Sequence, residues 1–148
     1  MALASCGGSD SPTDTIPPPT VAALVFLTAP GDQVVGSVVA LQVRVDGTDG
    51  KPMAGTSVAF SATAGSTSPT SATTDASGLA SVSWTLGTAA GSQTLTASAS
   101  GRSATVTVTA RAAAAAAFEK VSGDTQSGAA GDPLKDPLVV AVKDPFGN

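Results

Sequence analysis

The chain has 148 residues, which is enough for one complete domain and a remainder. Charged residues make up 12% and the net charge is -4, with Lys and Arg scattered singly, so the basic surface that nucleic-acid binding requires is excluded. The sequence has no His and one Cys, so no Ser-His-Asp or Cys-His group can be assembled. We therefore expect no enzyme activity and no cofactor.

Residues 1–20 are typical of an anchor followed by a tether. Residues 1–6 end in Leu3-Ala4-Ser5-Cys6, which resembles the bacterial lipobox, where a signal peptidase cleaves before a Cys that carries lipid. Only five residues precede Cys6, fewer than a signal peptide needs, so we expect a misplaced start or a longer parent chain. The alternative is a chance match in an Ala- and Ser-rich tail. Residues 7–20 are rich in Pro and Ser and predict an extended spacer.

Residues 21–110 carry short runs of alternating apolar and polar side chains, separated by Gly, Pro and Asp. This period of two predicts strands with one apolar face each. The strands are expected near residues 21–28, 38–46, 55–64, 71–74, 80–86, 95–99 and 104–108, with residues 65–69 as a loop. About seven strands with turns every 8–12 residues predict an all-β, Ig-like sandwich.

Trp84 is the residue around which we expect the core to form. It is the only Trp, and it shares the apolar face of its strand with Ala80, Val82 and Leu86. The intervening Ser81, Ser83 and Thr85 are expected to face solvent.

An alanine run separates this domain from a segment in which the pattern of the first strands begins again. Residues 111–117 favour helix by intrinsic propensity, but so short a helix is marginal in water, so we interpret them as a partly helical linker. The sequence then repeats itself. Gly31 and Gly123 are 92 residues apart, and the later pairs are 97 residues apart: Leu41/Leu138, Val43/Val140 and Val45/Val142. Residues 118–148 therefore predict the truncated start of a second copy, and a parent chain that continues as a tandem array of monomeric modules.

Several pieces of the chain resemble the bacterial Ig-like repeats of the Big-1 (invasin/intimin) type. The matching pieces are K-P…G…V-A-F in residues 51–60, T-D-A-S-G-L-A in residues 74–80 and A-G…L-T-A in residues 90–97. Residues 121–128 and 140–148 match the opening of such a repeat again. The resemblance covers residues 21–148, and it implies a non-catalytic spacer or adhesive module on the cell surface.

Candidate binding groups are few. Asp46, Asp49 and Asp75 lie in turns and offer oxygen ligands to Ca²⁺, but turn chemistry alone accounts for them, so no metal site is expected. Ser and Thr on the outward strand faces suit glycan contacts, although β-propensity also explains Thr there. Aromatic side chains for stacking on sugars are expected to be absent from the surface, since Trp84 is expected to be buried.

We expect a stalk or adhesin segment of a bacterial lipoprotein, held at the cell surface or outer membrane by lipid on Cys6. Its expected partners are the membrane and a host or cell-surface protein or glycan. Two alternatives remain open at this point. One is a non-catalytic appendage of a larger secreted enzyme, and the other is a carbohydrate- or peptide-binding module that acts by edge-strand addition.

Overall fold

The computed structural model describes residues 17–148. Cys6, the lipobox-like residues 1–6 and the first ten residues of the predicted tether lie outside that range. The described residues form eleven strands and no helix, which confirms the expected all-β class. In chain order the strands are β1 (Val21–Phe26), β2 (Gln33–Val34), β3 (Val38–Gly47), β4 (Ser57–Ala62), β5 (Ser66–Ser68), β6 (Ser71–Thr73), β7 (Leu79–Thr85), β8 (Gly91–Ala99), β9 (Arg102–Arg111), β10 (Ala117–Ser122) and β11 (Val139–Lys143).

Strands β1 to β9 form two sheets that pack face to face, which we call the sandwich. The first sheet has the order β1-β3-β7-β5 and the second has the order β2-β9-β8-β4-β6. Neighbouring strands are antiparallel except β2 and β9, which run parallel. The chain therefore changes sheets between β1 and β2, so its first segment contributes a strand to each layer.

The core lies between the two sheets and is centred on Trp84. Trp84 is 0% exposed, and its indole Nε1 donates a hydrogen bond of 3.0 Å to the carbonyl oxygen of Ala64. The alternating residues that the sequence assigned to the inner face are buried, which confirms the predicted faces of β3, β7 and β9. The fully buried large side chains are Trp84, Leu95, Val43, Val45, Val58 and Val108.

Three local predictions were wrong. Ser66–Ser68, expected as part of a loop, forms β5 and pairs with β7. Gln33–Val34 forms a strand that was not expected at all. The alanine run is not helical, because β9 continues through Arg111 and β10 begins at Ala117. Pairing with a neighbouring strand determines the conformation of β2 and β5, and residues 112–116 form an irregular connection between β9 and β10.

Strands β10 and β11 form a separate antiparallel ribbon, which we call the hairpin. Its last turn has the backbone hydrogen bonds of the turn that follows β3. The Gly47 amide donates to the Lys51 carbonyl (2.8 Å), and the Asp144 amide donates to the Asn148 carbonyl (3.0 Å). The two turns are therefore equivalent at a spacing of 97 residues, as the sequence comparison predicted.

The register of the hairpin also repeats that of β1 and β3. Phe118 lies opposite Val142, as Leu24 lies opposite Val45. The first strands are thus related by 94 residues, and the spacing of 92 inferred from the sequence is wrong by two. The spacing of 92 was measured between the Gly-Asp pairs that follow the two first strands. The spacing of 94 is measured between the strands themselves, from the register of β10 on β11.

The repeated face is buried in the sandwich and open in the hairpin. Phe118 is 77% exposed, Val140 is 59% exposed and Val142 is 52% exposed. Their counterparts in the sandwich are covered by the second sheet: Leu24, Val43 and Val45. The hairpin therefore presents, to solvent, the side-chain pattern of a sandwich interior.

Candidate functional site

The three loop carboxylates considered as Ca²⁺ ligands are occupied by contacts of their own turns and strands. Asp46 pairs with Arg44 at 2.9 Å. Asp49 accepts the Lys51 amide (3.1 Å), and Asp75 accepts the amides of Ser77 (2.8 Å) and Leu79 (3.0 Å). Among residues 17–148, no three side chains of the metal-binding types come together. Turn and strand chemistry therefore accounts for these aspartates.

An open cleft of about 420 Å³ lies on the outer face of the first sheet. Its floor carries outward side chains of β3 and β7, including Gln42, Ser81 and Ser83. Leu27 closes one side, and Pro69 closes the other. The cleft combines hydroxyl and amide groups with apolar walls, so it can offer both hydrogen bonds and contact area to an extended ligand.

Two aromatic side chains are exposed, contrary to the expectation from the sequence. Phe118 of β10 and Phe146 of the last turn both lie more than half in solvent. Trp84 is buried as expected. The expectation failed because it considered only the Trp and not the phenylalanines of residues 118–148.

A polar cluster joins the hairpin to the sandwich and has Asp144 at its centre. Asp144 is 5% exposed. Its Oδ2 accepts hydrogen bonds from the Ala113 amide (2.9 Å) and from Nδ2 of Asn148 (2.8 Å). Its Oδ1 accepts the amides of Phe146 (2.9 Å) and Asn148 (2.8 Å). One carboxylate thus holds its own turn and the linker together.

Asn148 extends the same cluster onto the loop between β7 and β8. Its Nδ2 donates to the Thr88 carbonyl (2.8 Å), and its Oδ1 accepts the Ala90 amide (2.8 Å). The side-chain amide therefore forms a pair of bonds with backbone groups of the sandwich. We call Asp144–Asn148 together with these three partners, Thr88, Ala90 and Ala113, the joint.

The electrostatics of the joint favour a charged Asp144. Burial raises the pKa of its carboxyl, but hydrogen bonds from the side chain of Asn148 and from the amides of Ala113, Asn148 and Phe146 outweigh burial and lower the pKa to about 2. Hydrogen bonds of this kind stabilise the ionised form specifically. Nearby on the hairpin, a hydrogen bond and ion pair with Lys143 lower the pKa of Glu119.

The joint carries no sequence motif that marks it as a site. The repeat at 97 residues aligns Gly147-Asn148 with Gly50-Lys51, but it assigns no role to Asp144 or Asn148. An Asp at the start of a turn is a usable signal for a side chain that accepts an amide two residues on, as Asp144 does from Phe146. No signal in one sequence connects Asn148 to Thr88, which lies 60 residues earlier.

These features define a class of protein: an all-β chain whose described residues form an Ig-like sandwich followed by a two-stranded hairpin. A sequence profile for the bacterial Ig-like domain (group 1) matches residues 36–111, about half of the chain. The chain belongs to this family, known as Big-1. Comparison of the sequence with curated proteins finds no match.

Solved structures agree with the family assignment at the level of fold. Invasin, a bacterial integrin-binding protein, aligns at 21% identity and a TM-score of 0.55, over 86% of this chain and 27% of invasin. The adhesin InvE of Yersinia pseudotuberculosis aligns at 17% identity and a TM-score of 0.54, over 84% of this chain and 48% of InvE. The C-terminal fragment of intimin in complex with the intimin-binding domain of its receptor Tir aligns at 20% identity and a TM-score of 0.50, over 84% and 45%.

The chain therefore spans between about a quarter and a half of the length of each of these structures. At such identities the likeness establishes the fold. Within residues 17–148, no helix is long and apolar enough to cross a bilayer.

Proposed function

We propose that the chain is a non-catalytic module of the bacterial cell surface, which serves as a spacer or adhesive segment of a lipoprotein. Membership of the Big-1 family supports this role, because solved proteins with the same fold are described as adhesins or as binding a receptor. Lipid on Cys6 would attach the protein to the outer membrane, and residues 7–20 would lift the sandwich clear of it. At the rise of extended polyproline, about 3.1 Å per residue, the fourteen residues 7–20 would span up to roughly 40 Å.

The observation that carries the spacer role is the repeated hairpin. The turn at Asp144 copies the turn at Gly47, and the open face with Phe118 and Val142 copies a face that the sandwich buries. We therefore assign residues 21–110 to one Ig-like domain, residues 111–117 to a linker and residues 118–148 to part of a second. Two strands alone cannot bury a core, which is consistent with the open apolar face of the hairpin.

The anchoring proposal is tested on the protein expressed in the bacterium that encodes it. Cells are fed a clickable palmitate analogue, and incorporation is compared between the native protein and Cys6→Ser. We expect label on the native protein and none on the variant. Ser9→Cys in the Cys6→Ser background is the matched control, because it restores a thiol three residues away and should stay unlabelled. Absence of label on the native protein would refute lipid anchoring and leave the spacer role to be decided by localisation.

A second candidate function is binding of a glycan or an extended peptide in the cleft of the first sheet. It is favoured by the polar floor at Gln42 and Ser81 beside the apolar walls at Leu27 and Pro69. A glycan and peptide array probed with the purified chain tests it. Binding that is lost in Gln42→Ala but kept in Gln33→Ala would support it, because Gln33 lies in the other sheet. An array without hits would remove this candidate.

A further inference from the structure

The joint has a geometry that a flexible connection between two modules does not need. Asn148 reaches the sandwich at the loop that contains Thr88 and Ala90, and Asp144 reaches the linker at Ala113, which packs against the sandwich core. We propose that the turn Asp144–Asn148 is a lock that holds the hairpin in one orientation on the sandwich.

The lock has enough points of attachment to remove rotation. The Ala113 bond fixes the linker to the turn, and the Ala116 amide donates to the Lys143 carbonyl (2.8 Å). Asn148 adds two bonds to backbone groups on the far side of the turn. A single contact would leave the hairpin free to swing about it, whereas bonds at separated points define both its direction and its rotation.

The attachment depends on side chains and not on the turn alone. The equivalent turn of the sandwich has the same backbone hydrogen bonds but carries Gly47 where the hairpin has Asp144, and Lys51 where it has Asn148. That turn holds only the chain that enters β1, through Thr48, whose amide donates to the Thr20 carbonyl (2.9 Å). The fold therefore provides the turn, and the residue choice at two positions turns it into a lock.

The burial of Asp144 favours one seated arrangement of the turn. A buried carboxylate is costly to desolvate unless hydrogen bonds replace its water, and here four donors do so. If the turn leaves the sandwich, the bond that Asn148 donates to Thr88 and the bond that it accepts from Ala90 break together. The joint is therefore expected to be either seated or released, with few intermediate orientations.

A rigid joint suits a spacer, because it transmits the direction of one module to the next. The lock would make the proposed spacer rigid, but the contacts that support the lock do not depend on the spacer role. A flexible joint would also be compatible with a cell-surface spacer, so failure of the lock would leave the proposed function standing. Failure of surface localisation would equally leave the lock standing.

The test measures the distance distribution between two spin labels by pulsed electron resonance. The labels are placed at Thr105→Cys in β9 and Val121→Cys in β10, both exposed, in a Cys6→Ser background so that no third thiol reacts. The same measurement is made after Asp144→Ala, after Asn148→Ala and after both. Asp124→Ala is the matched control, since this carboxylate lies on the hairpin and pairs with Lys120 without touching the sandwich.

We expect one narrow distance peak for the parent and for Asp124→Ala, and a several-fold wider distribution for the double variant. Fluorescence of the buried Trp84 shows whether the sandwich remains folded in each variant. A broad distribution in the parent would overturn the proposal. A narrow peak that survives both substitutions in a folded sandwich would overturn it as well.

Discussion

Trp84 donates its indole N–H to the backbone carbonyl of Ala64 across 3.0 Å, and this bond connects the centre of the core to the turn before β5. The ring itself is fully buried between the two sheets. Trp84 therefore contributes in two ways, by filling the interior and by satisfying a backbone acceptor at the end of β4. The two contributions can be separated by substitution.

Replacing Trp84 tests whether the sandwich is organised around this side chain. We expect Trp84→Ala to lower the free energy of unfolding by about 3–5 kcal/mol, because it leaves a large cavity. We expect Trp84→Phe to cost about 1–3 kcal/mol, because most of the packing remains while the Ala64 carbonyl loses its donor. Urea denaturation followed by far-ultraviolet circular dichroism measures both values.

The control for this series is Ser83→Ala, which lies on the same strand and faces solvent. Its free energy of unfolding should stay within about 0.5 kcal/mol of the parent value. Equal losses for Trp84→Ala and Ser83→Ala would contradict the assignment of Trp84 to the centre of the core.

Gly65 allows the turn before β5 to pass close to the end of β7. A Cβ at this position would lie 1.9 Å from the Thr85 carbonyl oxygen, and the backbone φ is +79°. We expect Gly65→Ala to cost about 2–5 kcal/mol, because strain in the left-handed region adds to the overlap. Thermal or urea unfolding measures the loss.

Gly101 is the matched control, because its φ of +77° is nearly the same and no atom lies within 4 Å of an added Cβ. Gly101→Ala should lower the free energy of unfolding by about 1–2 kcal/mol, through backbone strain alone. If the two variants lost equal stability, the close approach at Gly65 would have no energetic consequence.

Much of the sandwich could be predicted from alternation, because each long strand buries one face only. Val39, Leu41 and Val43 lie inward while Gln42 and Arg44 lie outward, as their period of two requires. Strands β2 and β5 could not be predicted in this way. They are two and three residues long, and their conformation is set by pairing with β9 and β7 rather than by a pattern of their own.

The joint was beyond sequence reasoning for a different reason. The turn at Asp144 could be matched to the turn at Gly47 by spacing, but its contacts could not. The bond between Asn148 and Thr88 depends on how the hairpin is seated, which no local pattern encodes. The alanine run was also predicted wrongly, because a run of about six residues between two strands is too short for its helix propensity to form a stable helix.

The joint should respond to acid at an unusually low pH. The pKa of Asp144 falls from an ordinary value of 3.8 to about 2 on folding. Because the folded value is the lower one, the ionised carboxylate stabilises the seated turn fully above about pH 4, and this contribution is lost as the pH falls toward about 2. The amide resonance of Ala113, which donates to this carboxylate, should shift with a midpoint near pH 2 in a two-dimensional NMR titration.

Asp144→Asn serves as the control for the titration, because it keeps the shape of the side chain and removes its ionisation. The same resonance should not titrate over this interval in the variant. A midpoint at or above 3.8 in the native protein would show that the hydrogen bonds to Asp144 do not favour its charged form.

The central claim is that this Big-1 chain is displayed as a module on the outside of the bacterial cell. The most direct measurement is digestion of intact cells with proteinase K, followed by immunoblotting for the chain and for a marker protein of the cell interior. The account predicts that the chain is removed while the marker survives. A chain that stays protected until the cells are lysed would contradict it.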